Sequence, residues 1–543
     1  MTKRIKNRIS ASMPGIVFAL MTSLAAVSMN AADARQARLL VSIVVDGLDN
    51  DYLDLLREHF GDGGFRRLER EGAVIVNADF GTSMDATAAT AMIMSGAAPS
   101  LSGVAADTRY DRNRLRETPV YTDPDVLGNF TSDTYSPAAL RVTTVSDEAR
   151  IASGGTNVVY AVAPKAGQAI GLGGHTANAV LWLDNKTGNW ASSTFYQDMP
   201  VGIATRNRTS PLQARLDTMT WTPSMAPADY PALPDHLTRY PFRYVFPRGN
   251  SARLDMFTAS PMVNREVTTV ALDLLQSMHV GQHDGVTDVL NLAYTLQPYN
   301  YGKNPDSRPE LMDAYVKLDR NLEQLFKAID SSIGTGNTVI YLAATPPSGR
   351  SRRDDERWAV PYGEFSTRKA ASLLNMYLMA VYGNGDYVSA IHNGHIFLNQ
   401  QLIQEKGLDA HTVRNEAAGF LAKMTGVDRV HTIDDIVAGH AGERAEALRR
   451  NTTAATAGDL LLEVAPGFEI VDDYNLTVTD SSTHLVERAA ATTAPAFILA
   501  PDIAPQTIGT PVDVRALAPT VARILRIRSP NGASVAPLTL ERR

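Results

Sequence analysis

The 543-residue chain contains no cysteine. Disulfides, thiolate nucleophiles and cysteine-ligated metals are therefore excluded, and stability must come from the core alone. Beyond the N-terminal region no apolar run approaches the roughly 20 residues that a membrane span needs. There are no internal repeats and no low-complexity tracts. Excess positive charge is absent too: the net charge of -7 gives no reason to expect nucleic acid or an anionic membrane as partner. An acidic substrate would need a local positive site.

What is present is ordinary for a soluble globular protein, at 44% hydrophobic and 20% charged residues. The length implies one large α/β domain with insertions, or two domains. Lys3, Arg4, Lys6 and Arg8 precede an apolar stretch from about Gly15 to Val27, and Ala32-Asp33-Ala34 offers a small-x-small cleavage site. Residues 1–34 thus read as a secretory signal peptide, which implies a periplasmic or secreted protein without a transmembrane anchor after cleavage.

The most informative segment is Leu39–Val45, which runs almost wholly apolar and stops at Asp46-Gly47. Such a run reads as a buried parallel strand whose last residue faces the carboxyl edge of the sheet, where open α/β sheets place their chemistry. A helix is expected over Asp51–Arg70 and a strand over Ala73–Ala78. A small-residue helix follows over Ala86–Ser95, with strands over Val158–Val162 and Val180–Leu183. The amphipathic helix Asp319–Ile329 feeds a strand Thr338–Ala344 that continues into Thr345-Pro346-Pro347. The chain closes with a strand over Ala496–Ala500 and a helix over Val514–Leu525. Two regions break the rhythm: a proline- and aromatic-rich excursion within an irregular insertion at about 200–260, and an inserted subdomain at about 347–465. The second holds helix patterns at Arg368–Val381 and Thr412–Lys423 and a hairpin pattern at Tyr387–Leu398.

Several segments in order point to one family. They include Val45-Asp46-Gly47, Gly63-Gly64-Phe65, Ser95-Gly96, Gly174-His175-Thr176-Ala177-Asn178, Lys186-Thr187-Gly188-Asn189-Trp190, Asp313–Asp319 and Pro530-Asn531-Gly532. The mature chain, over about residues 38–535, resembles the alkaline phosphatase superfamily. The nearest branch is that of periplasmic alkaline phosphatases of the PafA type, related to nucleotide pyrophosphatase/phosphodiesterases. The resemblance implies a doubly wound, mostly parallel α/β sheet with a lid-like insertion. It also implies phosphate-ester hydrolysis by two zinc ions and a threonine nucleophile, the cations activating the nucleophile and stabilising the leaving oxygen.

Against that pattern the chain departs at nearly every site column. Asp46 matches the first metal ligand. The nucleophile column falls at Ala86, and Thr87 fills it only if the alignment slips by one residue. The Asp-x-x-x-His ligand segment falls at Pro298–Gly302, the Asp-His pair at Thr345-Pro346, and the late histidine at Thr492–Pro495. On the phosphate-binding side, Asp107 stands in an asparagine column, and Lys165-Ala166-Gly167 replaces a Lys-x-Arg. Lys165 persists, while Asp107 would repel a phosphoryl group.

Other residues offer weaker alternatives. His392-Asn393-Gly394-His395 has metal-ligand spacing, but Asn-Gly favours a hairpin turn. His283-Asp284-Gly285 reads as a turn before a strand, and His175 as structural. Arg350-Ser351-Arg352-Arg353 is a solvated loop or an anion site, and Asp46 itself has a plainer role as cap of the following helix. The expectation is a catalytically degenerate member of the superfamily with a binding or regulatory role and no cofactor, acting beside an envelope protein or an active paralogue. The alternative is an active zinc-dependent phosphomonoesterase or phosphodiesterase with a rearranged site. A third reading is a metal-independent cleft floored by Thr82, Ser83, Thr87 and Lys165 that takes another ligand.

Overall fold

The strand Leu39–Asp46 is buried along its whole length, because it lies between two parallel neighbours and both its faces are covered. On one side it pairs with Asp288–Thr295 and on the other with Thr338–Ala344, Leu39 facing Asp288 and Thr338. The structure, a computed structural model, describes residues 36–196, 199–304, 306–346, 363–440, 445–453, 456–465, 467–471, 474, 484–485 and 492–543. The signal-peptide segment and the Arg350–Arg353 cluster lie outside them. Among the described residues no helix is long and apolar enough to cross a membrane.

The main sheet has 11 strands and is mixed. Its centre is parallel: Thr338–Ala344, Leu39–Asp46, Asp288–Thr295, Val159–Ala163 and Ala179–Leu183 lie side by side in that order. Outside this block Thr493–Leu499 runs antiparallel to both Thr338–Ala344 and Ala73–Asp79. Ala73–Asp79 therefore ends on the same edge as Asp46. Helices Ala86–Ser95, Ala166–Gly173, Met262–Ser277 and Arg308–Ser332 cover the sheet, giving one large apolar core.

The insertion has its own core, built from Phe365, Leu374, Leu378, Ile396, Val413, Leu421 and Leu460 among others. Its antiparallel sheet orders Val388–His392, His395–Leu398, Leu460–Val464 and Val427–Thr432. Strand Gly363–Ser366 also pairs with Phe468–Val471, which in turn pairs with His484–Leu485. The proline-rich excursion is held by carboxylates of the long helix: Tyr244 OH donates to Glu310 (2.6 Å). Asp313, fully buried on the long helix Arg308–Ser332, accepts from Trp221 Nε1 (2.6 Å), Ser224 N (2.6 Å) and Tyr230 OH (2.9 Å).

Most expected elements stand within a few residues of their places, but the helix expected over Asp51–Arg70 is two helices, Asn50–Leu56 and Phe65–Glu71. The break follows from Asp319 on the long helix, whose carboxylate accepts from Gly61 N and Phe65 N, both at 2.8 Å. A Cβ on Gly64 would lie 2.1 Å from Asp319 Oδ1, so only glycine lets the chain pass so close. Gly64→Ala should therefore destabilise the fold by about 1–3 kcal/mol through overpacking, read as a lowered urea midpoint with an unchanged m-value.

Candidate functional site

Asp46 ends the central strand at 7% exposure, and both carboxylate oxygens are already engaged. Oδ1 accepts from Thr345 Oγ1 (2.7 Å) and Oδ2 from Gln297 Nε2 (3.0 Å). A carboxylate can only accept, so this contact orients the Gln297 amide with its NH2 toward Asp46. The Thr345 hydroxyl also accepts from Gly47 N (3.2 Å). Gly47 has φ +81, and a Cβ there would lie 2.4 Å from the carbonyl oxygen of Leu296, which accounts for the Asp-Gly pair. The cap of the next helix is Asp49, which accepts from Asp51 N, and not Asp46. That expectation is corrected: Asp46 is spent on the neighbouring strand ends.

The columns expected to carry ligands hold neutral groups. Thr345 reaches Asp46 from one flanking strand. On the other side the residue at the carboxylate is Gln297, one before the Pro298–Gly302 segment, because Leu296 N still pairs with Asp46 O (2.7 Å) and sends the next side chain to the site. Thr492 O accepts from Phe80 N, placing the late column beside the end of Ala73–Asp79. Among the described residues no three His, Asp or Glu side chains gather to hold a metal ion. Two zinc ions do not fit this donor set: its one carboxylate has its oxygens committed to an O–H and an N–H, and an amide NH2 points where a cation would stand.

The nucleophile and phosphate columns gather in a separate group. Helix Ala86–Ser95 starts at Asp85, whose carboxylate caps it by accepting from Ala88 N (2.9 Å) and also accepts from Asp107 N (2.6 Å). Thr87, at 2% exposure, donates from Oγ1 to Asp107 Oδ1 (2.8 Å). Lys165 is exposed at the start of helix Ala166–Gly173 and acts electrostatically on Asp85. At Gly167 a Cβ would lie 2.3 Å from Thr87 Oγ1 and 2.7 Å from Asp107 Oδ1. The Thr87–Asp107 pair thus leaves no room for a side chain at Gly167. Thr87, Asp107 and Lys165 do come together, while Asp46 keeps its own partners. Asp85 was not singled out from the sequence, though an aspartate directly before a helix is a cap signal.

The histidines are structural. His175 Nε2 bonds Leu140 O (2.8 Å), and its Nδ1 lies 3.2 Å from Asp147 Oδ2, a contact that holds the imidazole pKa above its usual value. His283 Nδ1 lies 2.7 Å from Asp288 Oδ2, at the opposite end of the sheet from Asp46. His392 and His395 face each other across the Asn393-Gly394 turn, both turn residues at positive φ, as a hairpin requires. Burial, with His392 and Arg112 nearby, pushes His395 down to about 4.

Removing the Thr345 hydroxyl should leave a buried carboxylate short of a donor. Thr345→Val is expected to cost about 1.5–3 kcal/mol, measured by chemical unfolding. Asp85 touches solvent at the cleft, yet crowding by surrounding protein, with Asp107 adding repulsion, pushes its carboxyl up from 3.8 to about 6. The folded chain thus holds this proton more tightly than the unfolded chain. The resulting stabilisation is full below 3.8 and is withdrawn as pH rises through about 6. A carboxyl 13C titration should show a midpoint near 6 for Asp85, and Asp107→Asn should lower it.

Residues 40–488 match the model of the type I phosphodiesterase / nucleotide pyrophosphatase family. The alkaline phosphatase PafA of Elizabethkingia meningoseptica is 25% identical over 527 residues, covering 92% of this chain and 94% of that protein. The alkaline phosphatase PhoV of Synechococcus elongatus is 26% identical over 515 residues, covering 91% of each. A crystal structure of wild-type PafA superposes with a TM-score of 0.81 at 22% identity, over 93% of this chain and 98% of that one, and so shares the fold. The chain belongs to the type I phosphodiesterase / nucleotide pyrophosphatase family, in the PafA-type branch of the alkaline phosphatase superfamily.

Proposed function

We propose that the chain is an exported, catalytically degenerate member of this family that binds a ligand or partner without hydrolysing phosphate esters. The observation that carries this reading is the Asp46 carboxylate, each of whose oxygens accepts a hydrogen bond from a neutral donor, Thr345 or Gln297. Two-metal phosphoryl transfer needs several anionic or imidazole ligands around that position to balance the transferring charge. Here hydrogen-bond donors take their place. The other half of the site supports the same reading, since the Asp107 carboxylate would repel a phosphoryl group. Shared fold does not carry activity where the reacting constellation is replaced. No cofactor is needed for such a role. An envelope protein or an active paralogue is the proposed partner, and the basic–apolar–small order of residues 1–34 supports export.

One contact favours the alternative of an active hydrolase with a rearranged site. Thr87 Oγ1 on Asp107 Oδ1 has the geometry of a hydroxyl beside a base. Thr87 is nevertheless buried under the helix that carries Gly167, which leaves little room for a substrate to approach the hydroxyl.

Zinc analysis of the purified mature chain, with p-nitrophenyl phosphate and bis-p-nitrophenyl phosphate turnover at alkaline pH, tests the proposal. The expected result is no stoichiometric zinc and no turnover above buffer, with Asp46→Ala and Thr87→Ala indistinguishable from the parent. Two bound zinc ions and turnover abolished by Asp46→Ala would sink the reading.

A further inference from the structure

Away from Asp46, the same edge of the sheet holds a cavity between the core and the insertion. Strand Ala73–Asp79 lies three places along the sheet from Leu39–Asp46. Its last residue pairs in parallel with Asp513 of the short strand Val512–Asp513. Partners in adjacent strands stand roughly 5 Å apart with their side chains on one face, so Asp79 and Asp513 leave the sheet side by side. Helix Ala445–Asn451 of the insertion supplies the facing wall. Its Asn451 Nδ2 donates to Thr82 Oγ1 (2.5 Å), and its Arg450 Nη1 lies 3.9 Å from Asp513 Oδ2. The cavity between these elements measures about 120 Å³, more than a single water needs.

Asp79, Asp513, Arg450 and Arg515 all line it, and one pair of them is matched. Arg515 grips Asp513 with two hydrogen bonds, Nε to Oδ1 at 3.0 Å and Nη2 to Oδ2 at 2.6 Å. The other two charges are unspent. Asp79 makes no ion pair among the described residues, and its Oδ1 accepts only from Gly81 N (2.8 Å). Arg450 gives Nε to Glu446 O (3.2 Å), while Glu446 Oε1 at 3.8 Å and Asp513 Oδ2 at 3.9 Å are too far for hydrogen bonds. Both Nη groups of Arg450 thus lack an acceptor among the described residues. Beyond Gly81 and Asn451, the rest of the lining is apolar: Phe80, Met92, Ala98, Pro511 and Val512. A lone anion would meet the Asp79 carboxylate here, and a lone cation would meet the guanidinium. A molecule carrying both charges satisfies each, and a planar carboxylate matches the guanidinium fork.

We propose that this cavity binds a small zwitterion of the α-amino acid class, its carboxylate on Arg450, its ammonium on Asp79 and its side chain against Phe80 and Met92. The site shares no residue with the Asp46 and Thr87 groups and does not depend on the non-catalytic reading. One wall belongs to the core and the other to the insertion, so an occupant ties the two together. The test is calorimetric titration of the mature chain with L-valine, with acetate and ethylammonium as arms that carry one charge each. Saturable valine binding is expected, and each single-charge probe should bind about tenfold or more weakly, through loss of a charge-assisted contact. Arg450→Gln and Asp79→Asn should each weaken valine by about the same factor, roughly tenfold or more. Asp79→Asn should also tighten acetate, because it removes a repulsion that a merely structural aspartate would not exert. Thermal unfolding verifies that both variants fold. Absent valine binding, unchanged valine affinity in either folded variant, or acetate or ethylammonium binding as tightly as valine overturns the proposal.

Discussion

Three strand ends meet at one carboxylate. The central strand is covered on both faces and paired on both edges, so its terminal Asp46 has little solvent to satisfy it and finds donors in the protein. Thr345 from one neighbour and Gln297 from the other supply them. Each is a contact to a charged group, stronger than a neutral hydrogen bond and directional. The Asp46 clamp fixes how the loops leave the carboxyl edge, and with them the floor of the cleft.

Such a clamp is also an answer to an electrostatic problem. A nearly buried aspartate left without metal or donors would be costly to keep ionised. Neutral donors on adjacent strands remove that cost without a cation. Asp313 also gathers an indole, a backbone N–H and a phenol to pin the proline-rich excursion, with the Lys317 ammonium 3.4 Å away as counter-charge. Asp459 uses cations too: it accepts from Leu398 N and Gln400, and also pairs with Arg112 and Arg414, which ties the Thr108–Pro119 hairpin to the insertion. Buried carboxylates here act as joints between segments, each made by donors distant in sequence.

The Asp107 group differs because its charge is not discharged inside the protein. Thr87 and Gly167 fit closely around one oxygen, and the carboxylate remains exposed. Asp85 beside it holds its proton to about 6. An anionic ester would meet repulsion at this place. The two halves thus differ: in one a carboxylate accepts from neutral donors, and in the other two carboxylates lie exposed.

Much of this was legible in the residues. The apolar run into Asp46-Gly47 identified a buried strand and its functional edge, because burial on both faces leaves a continuous apolar signature. Helix Ala86–Ser95 and the hairpin at Asn393-Gly394 were local signals of the same kind. The break between Leu56 and Phe65 was not legible as a break, since it depends on Asp319 more than 250 positions away. Nor was the choice of Gln297 over the segment after it, which follows from how far strand pairing runs past Thr295. Sequence by itself determined the fold and the family, because periodicity and motif order are properties of neighbouring residues. Only the tertiary structure decided what Asp46 bonds and that Thr87 bonds Asp107, because both depend on side chains brought together from separate elements.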